Sequence, residues 1–156
     1  MANFDLTSPF HVGHIVDNVE AAMAEISAAT GVTWHPPQDF ALDIDMGGER
    51  VQIDVNFTYS VEGPVQIEVA QGPAGTLWDP SLHGPSPHNG YWTSDLAGQI
   101  DELTAGGFEL LYNGVGEEPG PQGYAMLLTP SGLRVELVDE AMLPLFEHWY
   151  ETGSFP

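Results

Sequence analysis

The sequence predicts an α+β fold built from two tandem β-α-β-β-β modules that form one paired, cleft-shaped sheet, followed by a C-terminal helix. Three observations predict it. Residues 11–30 repeat in residues 88–107 at a constant offset of 77, each half closes on an alternating apolar strand with a central glutamate, and a Gly- and Pro-rich stretch at residues 72–87 separates the copies.

The repeat pairs His11 with His88, Gly13 with Gly90, Asn18 with Asp95 and Val19 with Leu96, then continues through Met23 with Ile100 and Ile26 with Leu103. Each copy therefore reads as a short strand beginning at a histidine, an Asn or Asp helix cap, and an amphipathic helix. In the first copy, residues 40–46 and 51–59 read as strands joined by a hairpin at Gly47-Gly48, and residues 65–69 close the module. In the second, residues 109–112 and 124–128 are strands joined by the Gly- and Pro-rich loop 114–123, and residues 133–137 close it. The expected organisation is a single domain over 1–156, with a first module at 8–71, a linker at 72–87, a second module at 88–139, and a C-terminal helix and tail at 140–156. Met142, Leu145, Phe146 and Trp149 fall on roughly one face of that last helix.

Composition narrows the function. The 156 residues, 42% of them hydrophobic, suffice for one compact core. Cysteine is absent, so disulfides and thiolate chemistry are excluded, and His, Asp and Glu are the only strong metal ligands. Twenty-three acidic residues face two cations, Arg50 and Arg134, for a formal net charge of -21. Such a field repels phosphates, which argues against nucleic acid and anionic membranes as partners. Neither a signal-peptide pattern nor a long apolar span is present, and the expected address is cytoplasmic.

The duplicated unit carries one His and one Glu at matching places: His11 and Glu68 in the first copy, His88 and Glu136 in the second. Pseudo-twofold packing would bring the four to a shared cleft. Two imidazoles and two carboxylates suit an octahedral divalent ion with positions left for a chelating substrate. Strand parity puts Gly13 and Ile15 on the side of His11 and sends His14 to the other face. It also puts Gln66 beside Glu68 and Arg134 beside Glu136, so Gln66 competes with Glu68, and a slip of one strand face would exchange His14 for His11. By the same parity, Val65, Ile67, Val69, Leu133, Val135 and Leu137 are expected to pack against helices or in the core.

The segments His11-Val-Gly-His-Ile-Val, Ile67-Glu-Val, His88-Asn-Gly-Tyr-Trp-Thr-Ser-Asp-Leu and Thr129-Pro-Ser-Gly-Leu-Arg-Val-Glu-Leu resemble the signature segments of the vicinal oxygen chelate superfamily, which includes glyoxalase I and methylmalonyl-CoA epimerase. The likeness runs over about residues 9–139. It implies a paired β-α-β-β-β fold, one divalent ion (Zn, Ni, Co, Mn or Fe) on His11, Glu68, His88 and Glu136, and a homodimer. It also implies isomerase, epimerase or lyase chemistry next to a carbonyl, through a metal-stabilised enolate with Glu68 and Glu136 moving the proton.

With only two arginines available, coenzyme A and glutathione adducts fit poorly. The aromatic supply at Trp34, Phe57, Tyr59, Trp78, Tyr91, Trp92 and Tyr124 suits a small, weakly charged carbonyl compound. Gln66, His83, Arg134 and Tyr124 are the candidate substrate contacts, with His83 in the linker also a candidate proton relay. His35 is placed in a loop and His148 in the tail helix, both away from the chemistry. Two other readings compete. One is a metal-free protein that sequesters a drug or metabolite; the other is an extradiol-type dioxygenase using His11, His88 and Glu136 for iron, in which a carboxylate at 68 would block a needed position.

Overall fold

The computed structural model describes residues 5–156. The first module runs β1 (His11–Ile15), α1 (Val19–Thr30), β2 (Gln38–Met46), β3 (Glu49–Tyr59) and β4 (Gln66–Gln71). One short helical stretch, α2 (Pro80–His83), lies in the connection to the second module. That module runs β5 (His88–Thr93), α3 (Leu96–Ala105), β6 (Glu109–Gly114), β7 (Tyr124–Leu128) and β8 (Arg134–Asp139), and a 3-10 turn at Glu140–Met142 leads into α4 (Leu143–Thr152).

Local chemistry explains the boundaries. Asn18 Oδ1 accepts from the Ala21 backbone N–H at 2.8 Å to cap α1, and Asp95 Oδ1 accepts from Gly98 N–H at 3.0 Å to cap α3. Gly31 ends α1 in the left-handed region at φ 77°. Gly47 and Gly48, at φ 64° and 90°, make the tight turn between β2 and β3 that favours two residues of positive φ.

The eight strands close into a curved sheet in the order β1-β4-β3-β2-β6-β7-β8-β5. Within each module the first strand runs parallel to the last, β1 with β4 and β5 with β8. The modules join at two antiparallel seams of unequal extent. β1 meets β5 over His11–Gly13, and β2 meets β6 only at Ile44 and Asp45.

The helices cover the sheet unequally. α3 buries Leu96, Ile100 and Leu103 against Leu127, Val135 and Leu137. α1 buries only Val19, because alanines occupy much of its surface; Met23 and Ile26, which match Ile100 and Leu103 in the repeat, are half-buried. α4 adds a third cluster, with Phe146 and Trp149 packed on Tyr59 and Val138. Trp149 Nε1–H donates to the Pro36 carbonyl at 3.0 Å, tying the helix to the strand entry on the opposite side.

Three apolar positions lie elsewhere than expected. Val65 and Leu133 are 41% and 66% exposed, because the sheet begins one residue later in each closing strand and the alternation has no partner before it. Leu145 is 38% exposed, since the 3-10 turn shifts the start of α4 and leaves Phe146 and Trp149 to carry the contact.

Gln99 is buried in α3 at 1% exposure, and among the described residues neither atom of its amide has a hydrogen-bond partner. An unsatisfied buried amide costs roughly 1–3 kcal/mol. Gln99→Met keeps the side-chain length and removes the polar atoms, so it should stabilise the fold by about 1 kcal/mol or more. Denaturant unfolding of the two proteins side by side checks this; a lower midpoint for the variant would contradict it.

Candidate metal centre

The β1–β5 seam sets His11 opposite Gly90 and Gly13 opposite His88. Parity turns all four toward the barrel interior. A Cβ at Gly90 would overlap the His11 ring, and a Cβ at Gly13 would overlap the His88 ring and come within 2.6 Å of Glu68 Oε2. The glycine two residues after each histidine thus makes the space that the other module's histidine fills. The carboxylates arrive from the parallel neighbours: Glu68 on β4 is in register with Gly13, and Glu136 on β8 with Gly90.

Four donor atoms meet there. His11 Nε2 lies 3.1 Å from His88 Nε2, 3.3 Å from Glu68 Oε2 and 3.0 Å from Glu136 Oε2. His88 Nε2 lies 3.0 Å from Glu68 Oε2 and 3.6 Å from Glu136 Oε2. The four residues offer ligand atoms all within 4.8 Å of one another. Around a six-coordinate ion with bonds of about 2.1 Å, neighbouring ligand atoms stand about 3.0 Å apart and opposite ones about 4.2 Å. The spacing and the hard-to-borderline donors therefore fit one divalent ion, with room for two more ligands in a six-coordinate shell.

Electrostatics point the same way. Burial opposes a charge on His11, but hydrogen bonds to Glu136 and Glu68, and the charges of both, outweigh it and push the ring up to about 9. Burial would raise Glu68, yet His11 and His88 overcome it and hold the carboxyl well below the usual range. The site is thus anionic on its oxygens and calls for positive charge between them. The His11 ring is set by packing: Phe10 meets it edge-on at 4.4 Å and Tyr59 at 5.1 Å, while the buried Nδ1 has no hydrogen-bond partner among the described residues.

The centre opens onto a cavity inside the barrel of about 860 Å³, counting the space at its mouth. Glu68, His88 and Glu136 form part of its wall, and most of the rest is apolar or aromatic, including Phe40, Leu42, Phe57, Trp78, Met126 and Phe155. Burial, and then the Glu136 and Glu68 charges, hold the Tyr112 hydroxyl far above its ordinary value; burial with the Glu68 and Glu136 charges raises Tyr59, and burial with the Glu136 and Asp43 charges raises Tyr124. These phenols are neutral hydrogen-bond donors at any working pH.

Of the other residues singled out by sequence, Arg134 and Tyr124 line the cavity, and Gln66 and His83 do not. Gln66 is engaged elsewhere: its Nε2 donates to the Ser60 carbonyl and its Oε1 accepts from the Tyr150 hydroxyl, both at 2.9 Å. His83 is exposed at the end of α2, because that turn faces solvent. His14 is half-buried on the opposite face of β1 from the cluster, and burial lowers its pKa. His35 stacks on Tyr150 at 4.2 Å, and His148 is exposed. Among the aromatics, Phe57, Tyr59, Trp78 and Tyr124 reach the cavity, whereas Trp34, Tyr91 and Trp92 do not. Tyr112, Phe40 and Phe155 do reach it and were not singled out by sequence; inward parity from Ile44 along β2 would have found Phe40.

Two β-α-β-β-β modules enclosing a His/Glu cluster in one barrel define a class of small proteins with a metal-capable internal site. The chain belongs to the Glyoxalase/Bleomycin resistance protein/Dioxygenase superfamily, whose family profile matches residues 10–126. Among solved structures it is similar to a hypothetical protein from Bacillus halodurans, at TM-score 0.60 and 14% identity over 89% of this chain and 96% of the other. It is also similar to methylmalonyl-CoA epimerase from Mycobacterium tuberculosis, at TM-score 0.54 and 17% identity over 89% and 91%. A variant of 4-hydroxymandelate synthase from Streptomyces coelicolor matches at TM-score 0.56 and 17% identity, over 85% of this chain and 38% of that longer one. At these identities the likeness is one of fold. No curated protein matches.

Two outcomes follow from the geometry. Gly13→Ala and Gly90→Ala should each displace a histidine ring and weaken zinc binding by about tenfold or more, as loss of ligand positioning does, with chelator competition as the readout and circular dichroism as the check on folding. Because His11 holds a proton up to about pH 9 in the metal-free cluster, zinc must displace it. Affinity should therefore rise between pH 6 and pH 8, with about one proton released per ion, measured by titration calorimetry in buffers of different ionisation enthalpy. A pH-independent affinity would contradict the assignment.

Proposed function

We propose that this protein is a metal-dependent isomerase, epimerase or lyase that moves a proton next to a carbonyl of a small, weakly charged substrate, with His11, Glu68, His88 and Glu136 as the metal ligands. The observation that carries this reading is the convergence of two imidazole nitrogens and two carboxylate oxygens within 4.8 Å at the wall of an apolar cavity. A divalent ion held there supplies Lewis-acid stabilisation of the charge that develops on a carbonyl oxygen as the adjacent C–H bond breaks.

The chain's own residues account for the rest. Glu68 is ionised at neutral pH, since its histidine neighbours hold it low, and so it is present as the base form. Glu136 reaches the same cluster from the strand on the opposite side of the seam, so the two carboxylates flank one reacting centre. One can remove the proton while the other returns it, provided the carboxylate in use swings off the cluster toward the cavity. A substrate filling the apolar cavity would displace water from the carboxylates, which would strengthen these charges and keep the proton within the site. The Tyr112 and Tyr124 hydroxyls, kept neutral, can donate to a substrate oxygen that Glu68 and Glu136 would repel.

The alternatives are weighed by the same residues. Sequestration without metal would suit the apolar wall but gives no role to two half-buried carboxylates and two buried imidazoles converging at one point. Extradiol chemistry needs three protein ligands, and Glu68 Oε2 at 3.0 Å from His88 Nε2 makes a fourth.

The test is metal analysis of the purified protein together with solvent deuterium incorporation into a panel of ketones and 2-oxo acids. Zinc, nickel, cobalt, manganese or iron at about one ion per chain is expected, with exchange lost by about 100-fold or more in Glu68→Gln or Glu136→Gln, the usual scale for removing an acid–base group. Exchange at the native rate in both variants would remove the two-carboxylate mechanism. A protein that binds no divalent ion yet binds apolar compounds tightly would be the sequestering type.

A further inference from the structure

Arg134 is one of two cations in a chain of net charge -21, and it is the one placed in the cavity wall. It lies on β8 two residues before Glu136, so it projects to the same inner face. Among the described residues its guanidinium has no hydrogen-bond or ion-pair partner, although the chain carries 23 carboxylate side chains. Its charge acts on the Tyr112 phenol, also in the wall. Arg50, by contrast, is exposed on the β2–β3 hairpin.

A half-buried guanidinium without a counter-ion, facing an apolar cavity, is a fixed fork of donors that matches a carboxylate. The surrounding field limits the choice. One guanidinium can neutralise one negative charge, and away from the His/Glu cluster no Lys or second Arg among the described residues lines the cavity to take a phosphate or a polyanion. We propose that the cavity takes a substrate with a single carboxylate on an apolar or aromatic body, the carboxylate resting on Arg134 and the body against Phe40, Phe57 and Trp78. This deepens the functional reading above, resting on it for the reacting end of the substrate, which then lies at Glu68 and Glu136. An acid of this class with a carbonyl along its chain would span from Arg134 to the cluster.

The experiment compares 4-phenylbutyrate with its neutral isostere 4-phenylbutanamide, with binding followed by titration calorimetry, both with and without saturating zinc. The acid should bind the wild-type protein about tenfold or more tightly than the amide, as expected for a charge-assisted pair. In Arg134→Gln that preference should vanish while the amide affinity stays within about twofold. Arg134→Lys, which keeps the charge but not the fork, should retain part of the preference. If the glutamine variant does not fold, the lysine variant decides: an undiminished preference overturns the proposal. No preference in the wild-type protein, or one that survives Arg134→Gln, overturns it as well. A preference that survives only with zinc puts the carboxylate on the metal, which sinks this subsite and leaves the metal reading intact. A preference that depends on Arg134 in a protein that binds no zinc supports the subsite while the metal reading fails.

Discussion

The antiparallel pairing of β1 with β5 is the constraint on which the centre depends. In that seam each module places its histidine against the other module's glycine, at His11 with Gly90 and His88 with Gly13. The exchange is steric at the level of a single methyl group, because a Cβ at either glycine would occupy the ring of the facing histidine. A slip of one residue would turn both histidines to the outer face, since strand side chains alternate with period two. The parallel neighbours β4 and β8 then deliver the carboxylates to the same level, so one register aligns all four residues. All four come from one chain.

Charge is divided sharply between surface and interior. Most of the 23 acidic side chains lie at the surface and make it electronegative, while the barrel interior is mostly apolar. Within that interior, the two carboxylates and two imidazoles would be expensive to bury without mutual compensation. They are compensated by one another, with His11 raised and Glu68 lowered through the same contacts. The three phenols at the wall respond oppositely, because burial and the neighbouring carboxylates both oppose a further negative charge. The described residues include no helix long and apolar enough to cross a membrane.

Much of this was legible in the sequence because the module was written twice. The offset of 77 between His11 and His88 marks both histidines, but the choice of His11 over His14 rested on the facing of β1, which the structure gives by burying His11, Gly13 and Ile15 and leaving His14 half-buried. Parity could not separate Glu68 from Gln66, which share a face of β4. Their difference is made by α4, whose Tyr150 hydroxyl occupies Gln66, a contact across 84 residues. Where the sequence reading went astray, at Val65, Leu133 and Leu145, an apolar pattern ran past the end of the element that could bury it.

By itself, then, the sequence determined the order of elements, the helix caps at Asn18 and Asp95, the Gly47-Gly48 turn, and the ligand types available, all of which are set by neighbours a few residues apart. Only the tertiary structure decided which faces meet: that Gly13 and Gly90 clear the way for histidines of the opposite module, that Gln66 is tied to α4, and that Arg134 faces the cavity. The physical reason is the range of the interactions. Periodicity and capping act along the chain, whereas the register of β1 on β5 and the shape of the cavity arise between segments more than seventy residues apart.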